Sequence, residues 1–339
     1  MIAGEEFQTI EGYISIKDGL IAEVGEGKVD CDLEGIICPM FINAHSHIGD
    51  SAFKDPPFAP LEHLVGPGGL KHRLLEATPR EELVKAMAES IGWMRATGTS
   101  AFADFREGGS PGVEMLLEAL EGQHAISRIL GRPDPESFEV HPACWGVGIS
   151  STRDHPSGWA EEVSENARRA EKRIAIHAGE ASMEDIGEAL RLDPDMLIHL
   201  TQATPEDLRE VVDRGASVVV CPRSNLVTGA GLPPVRKMLE LGIPVGVGTD
   251  NVMLNSPNLF REMEILSKTY LLEDRQVFMM CTLIGAEILG IEKRVGSINV
   301  GKEARVMVID GGSVNMRGSM DPLASVVRRA ETTDILAVF

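Results

Sequence analysis

The sequence predicts an α/β protein: a (β/α)8 TIM barrel over residues 39–293, with a small discontinuous β-domain built from residues 1–38 and 294–339. Short apolar strands alternate with helices, which is the pattern of βα units and a parallel sheet. Four of those strands end in a His, a Glu or an Asp, and in a TIM barrel the reactive groups lie where the strands end. The predicted barrel also has about the 250 residues that are usual for the fold.

Eight βα units follow one another from Phe41. The first helix, over 79–97, has its apolar residues at helical spacing, and a strand over 100–105 follows it. The other predicted strands cover 125–130, 143–149, 173–177, 196–200, 217–221 and 243–250. The other predicted helices cover 112–120, 159–171, 184–190, 205–214, 234–241 and 258–270.

The two termini read differently from the barrel. Residues 12–24 alternate in polarity around Asp18-Gly19, which is a strong hairpin signal. Residues 296–310 predict two more short strands, and we expect no helix in either terminal piece. Neither piece can bury a core alone, so we expect them to pair in one small β-sandwich domain.

His45 and His47 are the most informative pair in the chain. Residues two apart on a strand face the same side, so one strand would present two imidazoles to one point. Imidazole is the commonest metal ligand in proteins, although a surface loop can carry such a pair without function. Other strand ends supply candidate partners, namely His177 with Glu180, then His199, then Asp250.

Each partner has a structural alternative. His199 could be a core histidine bonded to a backbone carbonyl, and Glu180 could be a carboxylate that favours a helix start. Asp250 could cap the next helix. Their common place at the carboxyl ends of strands favours the functional interpretation.

These residues carry a resemblance to a known family. The motifs Phe41-Ile-Asn-Ala-His-Ser-His47, His177-Ala-Gly-Glu180, Cys221-Pro-Arg-Ser-Asn225 and Gly248-Thr-Asp250 occur in that order. The chain thereby resembles the amidohydrolase superfamily, in the cytosine deaminase and chlorohydrolase-like branch that includes adenosine-type, S-adenosylhomocysteine-type and guanine deaminases. The resemblance covers nearly the whole chain.

The resemblance implies a metal-dependent hydrolytic deaminase. His45, His47, His177 and Asp250 would hold one divalent ion, zinc first and iron second, which activates a water. That water would attack an amidine-type carbon of a small amino-heterocycle, a purine, pyrimidine or pterin-like compound, with release of ammonia. Glu180 would protonate the ring nitrogen, His199 would hydrogen-bond the attacking oxygen, and Asp250 would pass a proton to the departing amine. Related dinuclear enzymes carry a bridging lysine on the fourth strand, and residues 143–149 contain none, so we expect one ion.

Three other functions remain open. A hydrolase of a cyclic amide, such as an imidazolone, would use the same centre without releasing ammonia, and a chlorohydrolase would displace chloride. A barrel without turnover could serve as a binding subunit. The complete set of candidate catalytic residues weighs against that last alternative.

Substrate binding is less clearly indicated. Arg106 and Arg132 follow the second and third strands, where two guanidinium groups could bind a carboxylate, a phosphate or a ring carbonyl. Ion pairs with Glu107 and Asp134 are the alternative. The stretch over 50–78 is long enough to predict a cover over the site, and it offers His63 and His72 as further candidate substrate ligands.

Composition narrows the partners. The 52 acidic and 32 basic residues give a net charge of −20, which repels nucleic acid and anionic membranes. Apolar stretches are strand-sized, the first residues lack a signal-peptide pattern, and five cysteines show no paired spacing. We therefore expect a cytoplasmic protein with a small-molecule substrate, which could form a homo-oligomer.

Overall fold

A computed structural model describes residues 1–133 and 138–339 of the chain. In these residues the strands, in chain order, are β1 Ile2–Ala3, β2 Gln8–Thr9, β3 Gly12–Lys17, β4 Leu20–Glu26, β5 Ile36–Pro39, β6 Phe41–His47, β7 Thr99–Arg106, β8 Ile126–Gly131, β9 Gly146–Ile149, β10 Arg173–Ala178, β11 Met196–His199, β12 Ser217–Val220, β13 Val245–Val247, β14 Asp250–Asn251, β15 Val306–Ile309 and β16 Ile335–Val338.

The α-helices of the same residues alternate with the strands from β6 onward over most of the chain. They are α1 Leu61–Leu64, α2 Leu70–Ala77, α3 Arg80–Ala96, α4 Gly109–Ala119, α5 Trp159–Arg169, α6 Ile186–Arg191, α7 Pro205–Arg214, α8 Pro222–Thr228, α9 Val235–Glu240, α10 Leu259–Tyr270, α11 Asp274–Met280, α12 Leu283–Ile288 and α13 Pro322–Arg328. Local chemistry explains many of their ends. Helix α7, for example, begins with a capping box between Thr204 and Asp207 and ends at Gly215 in the left-handed conformation.

The main sheet is the predicted barrel. Its strand order is β13-β12-β11-β10-β9-β8-β7-β6-β14, and the register is parallel from β8 to β13 and between β14 and β6. The strands at the two ends of this order, β13 and β14, follow each other directly in the chain and are separated only by Gly248 and Thr249. The Gly248 amide donates to Val220 and the Thr249 amide donates to His45. Because this segment bonds to β12 on one side and to β6 on the other, it acts as one eighth strand, and the eight strands close into a ring.

Gly248 lies at the point of closure. A Cβ atom added there would lie 2.6 Å from the Cβ atom of His45, which is closer than carbon atoms pack. The absence of a side chain therefore lets the eighth strand approach the first, so that Asp250 is in register with Ser46, next to both predicted histidines.

The chain divides into two compact units. The first unit comprises Met1–Ala44, Trp93–Ala101 and Asn258–Phe339, and the second comprises His45–Gly92 and Phe102–Pro257. In the first unit the two termini combine, because β15 pairs antiparallel with both β5 and β16. Ile21 from the amino-terminal piece and Val306 from the carboxyl-terminal piece share one apolar cluster. The exact domain boundaries at residues 38 and 294 stay a prediction.

The elements of the barrel were largely predicted correctly, and so was the hairpin of β3 and β4 around Asp18-Gly19. The terminal pieces were predicted less well. They contain a helix, α13, whose first amides are capped by Asp321, with Pro322 at the first helical position. Residues 296–310 form one strand, β15, rather than two. Gly296 and Gly301 both have φ near +90°, and these turns leave the preceding residues outside a regular strand.

Two further differences concern the barrel connections. No helix is predicted over 50–78, but the structure has α1 and α2 there. Between β8 and β9 the described residues form no helix, whereas a regular βα repeat predicts one there. No helix of the described chain is both long and apolar enough to cross a membrane.

Candidate metal centre and active site

Four predicted ligands converge in the second unit. His45 and His47 come from β6, His177 comes from β10, and Asp250 begins β14. One ligand atom from each residue lies within 4.8 Å of the corresponding atom of every other. The sequence placed these residues at strand ends, and the closure of the sheet brings the ends together.

The distances among these atoms suit a tetrahedral ion. Asp250 Oδ1 lies 3.2 Å from His45 Nε2 and 3.5 Å from His47 Nε2, and the Nε2 atoms of His47 and His177 are 3.3 Å apart. Zinc–nitrogen bonds of about 2.0–2.1 Å place the corners of a tetrahedron about 3.3–3.4 Å apart. These three separations and the donor types of the four residues suit a zinc ion.

Hydrogen bonds assign the tautomers of two of the imidazoles. His177 Nδ1 lies 3.0 Å from the carbonyl oxygen of Ile149, which can only accept, so Nδ1 carries the proton. His47 Nδ1 lies 2.9 Å from Glu107 Oε1, and we assign it as the donor to that carboxylate. Both Nε2 atoms are then unprotonated and face each other. Two lone pairs at 3.3 Å repel unless a cation lies between them, which is a further sign of a metal site.

Burial also favours metal binding by the histidines. It lowers the pKa of His45 and of His177, and it lowers the pKa of His47 to about 3, in part with the nearby charge of Lys71. All three rings are therefore neutral at pH 7. A neutral ring has a lone pair on one of its nitrogens, and this lone pair can bind a metal.

Asp250 is held as a carboxylate. Burial raises the pKa of Asp250, but the hydrogen bond with His45 and the electrostatic attraction of the neighbouring imidazoles lower it more, so the net pKa lies well below the usual range. Ser224, on α8, donates to Oδ2 and leaves Oδ1 directed toward the histidines. The backbone of Asp250 has φ +59°, an uncommon left-handed conformation that aspartate tolerates better than most residues.

Glu180 and His199 form a second group beside the ligands. Glu180 Oε2 lies 3.6 Å from His199 Nε2, and both residues can share an ion-sized space with Asp250. Asn225 Nδ2, on α8, lies 3.1 Å from His199 Nδ1. With the amide in this orientation Nδ1 accepts, so the proton of His199 is on Nε2, on the side of Glu180. His199 has φ +75°, which is unusual at a strand end and turns the chain sharply there.

The environment of Glu180 suits proton transfer. Burial raises the pKa of Glu180 above its ordinary value, against the electrostatic attraction of the neighbouring His199 ring. A carboxyl group with a raised pKa holds a proton closer to neutral pH and can donate it during a reaction. Asp250 and Glu180 are thus two neighbouring carboxyl groups whose environments shift their pKa values in opposite directions.

Arg106 was predicted to reach the barrel mouth, but it lies inside the protein. Its side chain is only 3% exposed, and its Nη2 donates to Glu107 Oε2 at 2.8 Å. Its Nη1 lies 3.5 Å from Asp104 Oδ2. The geometry is that of the alternative interpretation, an ion pair, and the pairing occupies the guanidinium within the protein.

The other candidate substrate ligands lie in different settings. Arg132 is half-buried, and its Nε finds no hydrogen-bond partner among the described residues, while its predicted alternative partner, Asp134, lies outside them. His72, on α2, is half-buried, and its Nδ1 donates to the Gly66 carbonyl oxygen. His63, on α1, is exposed. Their contact with substrate stays a prediction.

Four residues around the centre were not assigned a role at the metal centre from the sequence. They are Lys71, Glu107, Ser224 and Asn225. The signals were partly available, since Glu107 directly follows the strand end at Arg106, and Ser224 and Asn225 belong to a motif that was recognised. Nothing in the sequence connects Lys71 with Glu107, because the two residues lie 36 positions apart.

Comparisons with known proteins agree with this geometry. Residues 36–339 match the model of the amidohydrolase family. A protein of Methanothermobacter thermautotrophicus that is named only provisionally as an aminohydrolase is 36% identical, over 99% of this chain and 94% of that protein. The 5-methylthioadenosine/S-adenosylhomocysteine deaminase of Caldanaerobacter subterraneus subsp. tengcongensis is 27% identical, over 99% of this chain and 88% of that protein.

A solved structure supports the fold independently. The zinc-bound adenosine deaminase from Xanthomonas campestris superposes with a TM-score of 0.81 at 19% identity, and the match covers 97% of this chain and 87% of that chain. At such low identity the likeness concerns the fold alone. The family match confirms the resemblance that the motifs predicted: the chain belongs to the amidohydrolase family and is a hydrolase that acts on carbon–nitrogen bonds.

Proposed function

We propose that the protein is a mononuclear metal-dependent deaminase of a small amino-heterocycle, a purine, pyrimidine or pterin-like compound. One observation carries the proposal. The three imidazoles of His45, His47 and His177 converge with Asp250, and Glu180 and His199 lie directly beside them. The deaminase names of relatives that align over most of the chain support the same reaction class.

The ion, when bound, would supply a water of lowered pKa, a nucleophile at neutral pH. The remaining chemistry belongs to the chain's own residues. Glu180, with its raised pKa, would donate a proton to the ring nitrogen next to the carbon under attack. His199 would donate a hydrogen bond from its Nε2–H to the attacking oxygen, and Asn225 would hold its ring for that purpose. Asp250 would take one proton of the water and give it to the amine, which leaves as ammonia. Glu180 would take the second proton as the oxo group forms.

Two features favour a single ion. The ligand set of three imidazoles and one carboxylate satisfies one tetrahedral ion. Strand β9 contains only glycine, valine and isoleucine, so it offers no lysine to bridge a second ion. We propose zinc because imidazole and carboxylate at this spacing suit it, and the structural neighbour from Xanthomonas campestris holds zinc; iron remains the second choice.

Arg132 is the best remaining candidate for a contact with the substrate. Its Nε is buried without a hydrogen-bond partner among the described residues, whereas Arg106 is paired. A ring carbonyl or an acidic group of the substrate would satisfy it. We further propose that the substrate is a small molecule and that nucleic acid is not bound, because the net charge is −20. The five cysteines are free, as suits the proposed cytoplasmic location.

An ammonia assay tests the proposed reaction. Zinc-loaded protein should release ammonia from at least one member of a panel of amino-purines, amino-pyrimidines, pterins and amino-triazines, with one oxo product formed per ammonia. The Glu180→Gln protein is the matched control and should release far less. Ring opening of an imidazolone without ammonia, or release of chloride from a chlorotriazine without ammonia, would instead establish one of the alternative hydrolases.

A further inference from the structure

Helix α2 is attached to the second unit in an unusual way. Of its eight residues, from Leu70 to Ala77, only Lys71 is buried, with 3% of the residue exposed. The leucines of the helix, Leu70, Leu74 and Leu75, are only half-buried. A buried lysine is costly unless it is paired, so the contact that pairs it decides whether α2 docks.

The partner of Lys71 is Glu107. The Lys71 ammonium donates to Glu107 Oε1, and both side chains are buried. The same oxygen accepts the Nδ1 proton of His47 at 2.9 Å, and the other oxygen accepts from Arg106 at 2.8 Å. One carboxylate therefore serves the metal ligand and the helix together.

The charges around Glu107 show why it can serve both. Arg106 pairs with Asp104 as well as with Glu107, so its single positive charge is shared between two carboxylates and does not fully balance the charge of Glu107. Lys71 provides the second positive charge, and its ammonium is 3.3 Å from His47 Nδ1. Because His47 Nδ1 already donates its proton to Glu107, it cannot accept a hydrogen bond from the ammonium. The Lys71 ammonium therefore donates its hydrogen bond to the Glu107 carboxylate.

We propose that Glu107 is a positioning residue with two functions: it holds His47 in the tautomer that binds the ion, and it anchors α2 through Lys71. The inference depends on the proposed assignment of His47 as a metal ligand but on no substrate. Undocking of α2 would leave a carboxylate beside His47 without one of its two cations. Glu107 in this way joins α2, in the segment that the sequence predicted as a cover, to the metal centre.

Zinc alone is a sufficient probe for the test. Glu107→Gln should weaken zinc binding by about 10- to 100-fold, the usual effect of removing a partner of a metal ligand. It should also speed amide hydrogen exchange in α2. Lys71→Met should speed exchange in α2 but should not produce the 10- to 100-fold loss of zinc affinity. Lys85→Met, which removes an exposed lysine from α3, is the matched control and should change neither quantity.

A charge-balanced variant guards against misfolding. The double variant Glu107→Gln/Lys71→Met removes one negative and one positive charge, and its zinc affinity should equal that of Glu107→Gln. Unchanged zinc affinity in Glu107→Gln, or unchanged exchange of α2 in Lys71→Met, would overturn the inference. Failure of the wild-type protein to bind zinc at all would instead overturn the proposed function, so the two failures are distinguishable.

Discussion

Replacement of Glu180 with glutamine should lower kcat by about 10²- to 10⁴-fold, the usual contribution of a general acid or base. The change preserves size and shape and removes only the transferable proton. Glu180 is outside the four-residue ligand set, so the zinc content should stay at the wild-type value. Steady-state kinetics on an identified substrate and metal analysis of the same preparation measure the two quantities.

A nearby surface residue provides the control for this experiment. Glu184 lies four positions further along and is largely exposed, where it pairs with Arg153. Glu184→Gln should therefore leave kcat unchanged. If Glu180→Gln lost its zinc, Glu180 would be a ligand rather than a proton donor, and the proposed division of roles between the carboxylates would be wrong.

Replacement of Asp250 with asparagine should affect both binding and chemistry. The neutral amide is a weaker ligand, so zinc affinity should fall by more than the loss of about 10- to 100-fold that follows from removing a partner of a ligand. The amide also cannot relay a proton. Turnover should fall with it, even at saturating zinc. Zinc titration of the metal-free variant, followed by an activity assay at saturation, separates the two effects.

The matched control is Asp213→Asn, on the exposed side of α7, which should change neither zinc affinity nor turnover. Full zinc affinity and a wild-type rate in Asp250→Asn would remove Asp250 from both of its proposed roles. The two substitutions should differ because Asp250 belongs to the four-residue ligand set and Glu180 does not.

The sequence predicted the barrel and the convergence of its strand ends because both depend on local rules. His45 and His47 face one side because strand side chains alternate. His177 and Asp250 join them because parallel strands share their polarity and the eighth strand closes on the first. Each step requires only the strand assignment, and the apolar runs before these residues are clear.

The residues that were missed depend on tertiary pairing. Lys71 belongs to a class of side chain that is almost never fully buried, and its partner is distant in sequence, so no local pattern indicates its position. Arg106 was placed at the mouth by its strand-end position, but the acidic groups of Asp104 and Glu107 hold it inside. Helix α13 differs from these residues, because Asp321 followed by Pro322 is a local signal for a helix start.

Zinc stoichiometry of the wild-type protein tests the central claim most directly. We expect metal-free protein, after titration with zinc and exhaustive dialysis, to retain about one ion per chain, because three imidazoles and one carboxylate complete one tetrahedral site. His177→Ala should retain much less under the same conditions. Two ions per chain in the wild type, or full retention by His177→Ala, would contradict the proposed centre of His45, His47, His177 and Asp250.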